Sequence, residues 1–384
     1  MELKQANVFF DTGLVFISTF VLQVTNLFVR LLIGYHWGKE DLGLYAVAIS
    51  INYLLLLFCS LGMPQAAVKY ISERKENPPQ QKDFVTTTIV ATVTSGVLMA
   101  IILFPLCFLA AKIWKMPELS TLLEIFIIGL PFSLLFQAVI NAHNGLRNIR
   151  LYSFFNIFNS LFGAGLALGA AFLHMTVKYV IWAFVTSVAT SSLLGLWTLR
   201  KYFRSQSLRI VFFNTLELIK FGNKLLAANL IQTINTRADM LFVGFFLGKS
   251  ATGEYSMATM LVRVLLLLPS AVQIITYPLL SELFGLFSWE RISRIIQRTT
   301  LYSFILLSFL GMFLFLYCDD FLSVYFPNFL SSVAPIRILT IFFIFYGTTV
   351  SIGSVFTSYG RPEISLILAI LSMFANLILN ILLI

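Results

Sequence analysis

Gly38-Lys39-Glu40-Asp41-Leu42-Gly43-Leu44-Tyr45-Ala46-Val47-Ala48 recurs 210 positions later as Gly248-Lys249-Ser250-Ala251-Thr252-Gly253-Glu254-Tyr255-Ser256-Met257-Ala258. The shared pattern is G-K-x-x-x-G-x-Y-x-x-A. In both places it follows a long apolar stretch with a polar stripe and leads into another apolar stretch. Solenoid repeats have far shorter periods, so the shift marks duplication of a whole lobe. The two copies fall at equal helix parity, which predicts parallel repeats about an axis along the membrane normal.

The surrounding composition sets the solvent. Of 384 residues, 59% are hydrophobic and only 11% charged, against roughly 25% charged in a soluble domain. That excludes a water-soluble globular protein. A net charge of +9 invites a nucleic-acid reading in a soluble chain, but here the basic residues are dispersed and no nucleic-acid motif accompanies them. A spanning helix needs about 20 mostly apolar residues. Eleven such stretches lie near 13–35, 44–66, 85–109, 121–142, 152–173, 178–199, 217–247, 255–280, 301–317, 338–358 and 363–384. The expected fold is an all-α polytopic membrane protein with two parallel-related lobes of six plus five spans. The lobes are 1–199 and 217–384, joined by a basic linker at 200–216, which reads in part as an amphipathic surface helix. Lys and Arg concentrate in the connections that place the N-terminus in the cytoplasm, and the second lobe is expected to lack a final helix.

The three cysteines, Cys59, Cys107 and Cys318, are scattered and read as small buried residues. His36, His143 and His174 stand far apart in sequence, so no metal site is expected, and no cofactor is implied. No phosphate loop, H-E-x-x-H or G-x-S-x-G is present, which argues against an enzyme. Gly165-Leu-Ala-Leu-Gly169 reads as close helix packing. Pro64, Pro131, Pro269 and Pro278 read as kinks.

Charges deep in a span cost about 2.5–3.5 kcal/mol on insertion scales. Arg30, Arg237, Arg263 and Asp239 therefore each call for a reason. Arg263 sits about eight residues into its span, about 12 Å deep at roughly 1.5 Å per residue. Gln23, Asn26 and Arg30 form one polar stripe; Asn229, Gln232 and Asn235 or Thr236 form another that continues to Asp239. Interhelical hydrogen bonding is the bland reading of both stripes, and snorkelling that of Arg30. The sharper reading is a cavity wall. Guanidinium groups would there compensate an anionic partner, and amides would offer neutral hydrogen bonds. Asp239 is the candidate ion-coupling group.

The run Gly38–Ala48, with Leu61-Gly-Met-Pro-Gln-Ala-Ala-Val-Lys-Tyr-Ile71, resembles the first two helices of Wzx-type polysaccharide repeat-unit flippases. These belong to the multidrug/oligosaccharidyl-lipid/polysaccharide (MOP) exporter superfamily. Asn141-Ala-His-Asn-Gly-Leu-Arg147, Ser358-Tyr-Gly-Arg-Pro-Glu-Ile-Ser365 and Asn376-Leu-Ile-Leu-Asn380 extend the resemblance along the chain. The resemblance implies two lobes around a cavity open alternately to each side. It also implies movement of an undecaprenyl-pyrophosphate-linked oligosaccharide, such as an O-antigen or capsule unit, across the cytoplasmic (inner) membrane. Membrane lipids and other polysaccharide-assembly proteins are the partners it suggests. A cation or drug antiporter of the same superfamily, a lipid II flippase and a membrane polysaccharide polymerase stay open as alternatives.

Overall fold

Backbone amides in hydrocarbon must be satisfied within the segment, and the structure follows that rule throughout. A computed structural model describes residues 2–383. Side chains are described from Asp11 onward, except at positions 12, 274, 278, 351, 362 and 383; the kink expected at Pro278 and the topological role of Lys4 lie outside those residues. Among the described residues every regular element is helical. Nine helical runs are long and apolar enough to cross a membrane, and two of these, Gly13–Ser60 and Leu208–Gly285, are each long enough for more than one crossing.

Those two contain the repeated motif. Helix α1 (Glu2–Ser60) runs on through Gly38, where φ is 83° and ψ −170°. The later helix Leu208–Arg263 does the same at Gly248, with φ 82° and ψ −176°. That region of backbone space is open essentially to glycine alone. Each glycine is thus a joint between two helical limbs, and the two joints divide the nine runs into the eleven limbs expected.

The remaining helices follow in order. They are α2 (Met63–Glu73), α3 (Pro78–Leu103), α4 (Cys107–Ile113), α5 (Glu118–Gly145), α6 (Ile149–Phe172), α7 (Lys178–Leu199), α8 (Leu208–Arg263), α9 (Leu267–Gly285), α10 (Trp289–Tyr325), α11 (Val333–Ser351), α12 (Val355–Ser358) and α13 (Pro362–Leu383). Starts are read in the sequence: Asn77 accepts from the Gln80 amide at 3.3 Å and Pro78-Pro79 fill the first turn of α3, where a missing N–H costs nothing. Pro64 likewise sits in the first turn of α2 rather than at a kink, whereas Pro131 lies inside α5.

Two compact units emerge. One comprises residues 1–37 with 44–241, the other residues 38–43 with 242–384. In the first, α5 is the central helix, with Leu119, Leu130, Leu134, Ala138 and Ala142 fully buried. Small residues carry much of the packing: Ala66 and Ala67 of α2 meet Ala138 and Ala142 of α5, as expected where apolar burial alone gives helices no reason to associate. Large apolar side chains point outward instead, including Phe309 at 72% and Ile338 at 70% exposure, the inverse of a soluble surface. The basic linker makes one 3-10 turn at Arg200–Tyr202, then enters α8 at Leu208. It is pinned to α3, with Gln206 donating to the Asp83 carbonyl at 2.9 Å.

In the second unit the two motif copies face each other. Lys39 Nζ lies 2.8 Å from Glu254 Oε1 and Lys249 Nζ 3.1 Å from Glu40 Oε2. Between the pairs the backbones touch: a Cβ on Gly43 would run into the Lys249 carbonyl, and one on Gly253 into the Lys39 carbonyl. Their side chains range from 23% to 59% exposed, so each pair is worth at most about 1 kcal/mol. The glycine approach is the less forgiving contact. Gly165 and Gly169 do not repeat it: a Cβ on either would meet nothing within 4 Å. The G-x-x-x-G match is therefore not a packing motif, because its face meets no neighbouring helix.

Gly43→Ala is expected to lower stability by about 1–3 kcal/mol, since the facing backbone must shift. Gly165→Ala should be neutral or slightly stabilising, as alanine is the better helix former. Thermal unfolding in detergent compares the two. Lys39→Glu should lose up to about 1 kcal/mol, and adding Glu254→Lys should restore it.

Candidate functional site

Three helices of the first unit line a cavity of about 120 Å3, its wall half apolar (Leu22, Val29, Val180 and Phe184 among others) and half uncharged polar. The limb of α1 before Gly38 supplies Asn26, and the limb after it supplies Tyr45 and Tyr53. Helix α6 supplies Asn159 and Ser160, and α7 supplies Ser187. Ser187 Oγ lies 2.6 Å from the Asn159 carbonyl and 2.9 Å from its Oδ1. Ser191 Oγ approaches the same Oδ1 at 3.5 Å. The Asn159 side chain is thereby tied to α7 through its amide oxygen. Ser160 is 8% exposed, and its Oγ has no hydrogen-bond partner among the described residues.

No carboxylate, ammonium or guanidinium is among the lining residues. Two guanidinium groups stand beside it. Arg30 follows Asn26 by four residues on α1 and therefore shares its face. The Arg237 guanidinium lies 4.2 Å from the centroid of the Tyr53 ring, a cation–π distance. Both charges act electrostatically on Tyr45.

The sequence-derived residues thus divide. Asn26, Arg30 and Arg237 gather around this cavity. Gln23 is exposed on the same limb and does not line it. Asn229, Gln232, Asn235 and Asp239 lie along α8 without lining it, and Thr236 Oγ1 donates back to the Gln232 carbonyl at 3.0 Å. Arg263 belongs to the second unit, at the last residue of α8 before a 3-10 turn, Val264–Leu266. Tyr45, Tyr53, Asn159, Ser160 and Ser187 were not singled out from sequence. Tyr45 stands in the repeated motif itself, while the others are uncharged polar residues inside spans, at helical spacing.

Two of the histidines, far apart in sequence, meet in the fold. His36 and His174 stack with ring centroids 5.3 Å apart, because Trp37 Nε1 donates to the Met175 carbonyl at 2.6 Å and ties the limb of α1 to the α6–α7 turn. Two imidazoles are not a metal site, and no group of three or more His, Cys, Asp or Glu occurs among the described residues. The cysteines are free and buried.

An all-helical fold with nine long apolar runs among the described residues is that of a multi-pass membrane protein. The chain belongs to the family described as polysaccharide biosynthesis protein, whose model matches residues 8–284; a second model, MatE, matches residues 225–382. An uncharacterized membrane protein of Methanocaldococcus jannaschii is 24% identical over 400 residues, covering 96% of this chain and 76% of that protein. The fold resembles an inward-facing multidrug resistance MATE family transporter of the MOP superfamily, with a TM-score of 0.74, 15% identity, and coverage of 93% and 85%. It also resembles the lipid II flippase MurJ in an inward closed conformation, with a TM-score of 0.75, 17% identity, and coverage of 96% and 80%.

Ser187→Ala strips Asn159 of its main hydroxyl partner. It should lower stability by about 0.5–1.5 kcal/mol, with Ser187→Thr largely retaining it, as read by unfolding in detergent.

Proposed function

We propose that this protein moves lipid-linked oligosaccharide repeat units from the inner to the outer leaflet of the cytoplasmic membrane by alternating access. Undecaprenyl-pyrophosphate is the lipid carrier in this reading, the N-terminus faces the cytoplasm, and residues 1–199 and 217–384 form the two lobes. The supporting observation is the pairing of an uncharged, partly polar cavity with Arg30 and Arg237 on the elements beside it. A pyrophosphate headgroup is too polar to cross hydrocarbon alone, and guanidinium groups match phosphate geometry. Arg263, deep in the other unit, adds a further positive charge. Asp239 is the coupling candidate, since it is the acid placed deepest along α8. Gln23, Asn229, Gln232 and Asn235 extend the polar surface toward the sugars.

A cation antiporter is the weaker reading, because the cavity wall carries no carboxylate and cationic cargo would face two guanidinium groups. A lipid II flippase differs only in the sugars carried, and the likeness to such a protein keeps it as the second reading. Membrane lipids and other assembly proteins are the remaining partners.

Complementation of flippase-null cells, scored by surface polysaccharide, tests the proposal. Wild type should restore export. Arg263→Ala and Arg237→Ala should each reduce it by about tenfold or more at equal protein level, as expected when a charge-assisted contact worth about 1.5–3 kcal/mol is removed. Full export by both variants overturns the charge role.

A further inference from the structure

A second hollow of the first unit lies apart from the cavity above. It is an open groove of about 680 Å3, inside the roughly 300–1,000 Å3 range of ligand sites. Helix α3 lines it from Val90 to Ile102, the start of α8 from Leu208 to Ile219, and Leu61 and Met63 close it on a third side. Eleven of the fourteen lining residues are apolar. The other three carry hydroxyls, and two of those are already used: Ser95 donates to the Cys59 carbonyl at 2.6 Å and Thr215 to the Val211 carbonyl at 2.7 Å. Such a wall asks for hydrocarbon. From Val90 to Ile102 it extends about 18 Å at roughly 1.5 Å per residue. That is close to the depth of one leaflet, half of a core roughly 30 Å thick.

The near end of the groove is basic. The linker before α8 is pinned to α3 one turn short of Val90: the Arg204 amide donates to Thr86 Oγ1 at 3.2 Å, and Gln206 donates to the Asp83 carbonyl at 2.9 Å. This stretch carries Arg200, Lys201, Arg204 and Arg209. The acids of α3 and of residues 200–219, Asp83 and Glu217, are already paired, with Arg204 at 3.8 Å and with Arg74 at 3.5 Å. Arg200, Lys201 and Arg209 lie over the rings of Trp197, Tyr202 and Phe213, at 4.7, 5.2 and 5.8 Å. A cation–π contact uses a ring face and no acceptor, and among the described residues no ion pair engages these three cations. Tryptophan and tyrosine beside lysine and arginine mark the headgroup level of a membrane. An apolar channel about one leaflet deep thus begins beside cations that lack a counter-ion.

We infer that this groove binds one anionic phospholipid, with an acyl chain laid along α3 and the phosphate held by Arg209, next to the lining residue Leu208, with Lys201 in support. The inference does not depend on the cargo proposed above. The bound lipid fills the gap between α3 and the start of α8, so it braces the segment that the linker feeds.

The test reconstitutes the full chain in vesicles of equal parts palmitoyl-oleoyl phosphatidylglycerol and phosphatidylcholine, releases it into mild detergent, and reads the retained lipid by native mass spectrometry. Phosphatidylglycerol should be retained about tenfold or more over phosphatidylcholine, a factor within reach of two basic groups facing an anionic headgroup. Arg209→Gln combined with Lys201→Gln should cut that preference to about twofold or less, and Arg209→Lys should keep it. Thr94→Phe fills the groove from an exposed position without touching a charge. It should lower retained phosphatidylglycerol about tenfold, the loss expected when about two methylenes can no longer be buried. Thr94→Val leaves the groove open and should change nothing. Thermal unfolding in detergent checks that each variant is folded. Equal retention of the two lipids overturns the inference, as does an unchanged preference in the double variant or unchanged retention in Thr94→Phe. Undecaprenyl phosphate that displaces phosphatidylglycerol at equal concentration, and is itself lost in Thr94→Phe, overturns it too and gives the groove to an isoprenoid chain.

Discussion

Every polar group carried into hydrocarbon has to find its partner inside the protein. The rest of this structure follows from that constraint. The backbone meets it by being helical wherever it crosses. Side chains meet it by bonding to the turn behind them, as Thr88 does to the Phe84 carbonyl, or to a neighbouring helix, as Ser95 does to the Cys59 carbonyl. Groups not settled in either way stand out. Ser160 is one of them, and it lines the cavity shared with Asn26 and Asn159 where the functional argument begins.

The spans were legible because the signal that makes them, some twenty apolar residues between charged connections, is the same signal that drives insertion. The repeat was legible because glycine cannot be replaced at the joints Gly38 and Gly248 without strain. Sequence did not show that each joint lies within a helix that continues on both sides, since an apolar window breaks wherever Lys39 or Lys249 appears. The G-x-x-x-G at Gly165 misled for a related reason: the motif records that a helix can approach, while neighbouring elements decide whether one does.

The site was half legible. Arg30 and Arg237 declared themselves because charge at that depth is expensive, and Asn26 because it shares a stripe with Arg30. Tyr53, Asn159, Ser160 and Ser187 gave no such signal. A neutral hydroxyl or amide in a span costs little when it bonds to its own backbone, so nothing in sequence separates the ones that do from the ones that turn toward a cavity. Proximity across distant segments was equally hidden. His36 and His174 meet only because a tryptophan hydrogen bond draws their two elements together.

The reciprocal contact of the two motif copies has the form of an isologous interface, in which residue i meets j and j meets i. Lys39 meets Glu254 and Lys249 meets Glu40, although the charged partners come from different positions of the repeat: Glu40 has Ser250 as its counterpart, and Glu254 has Leu44. The symmetry of a joined pair of subunits is thus kept in geometry but abandoned in sequence. Each acid now exists in one copy alone, so the two bridges that lock the halves together are chemically alike but drawn from different positions of the repeat.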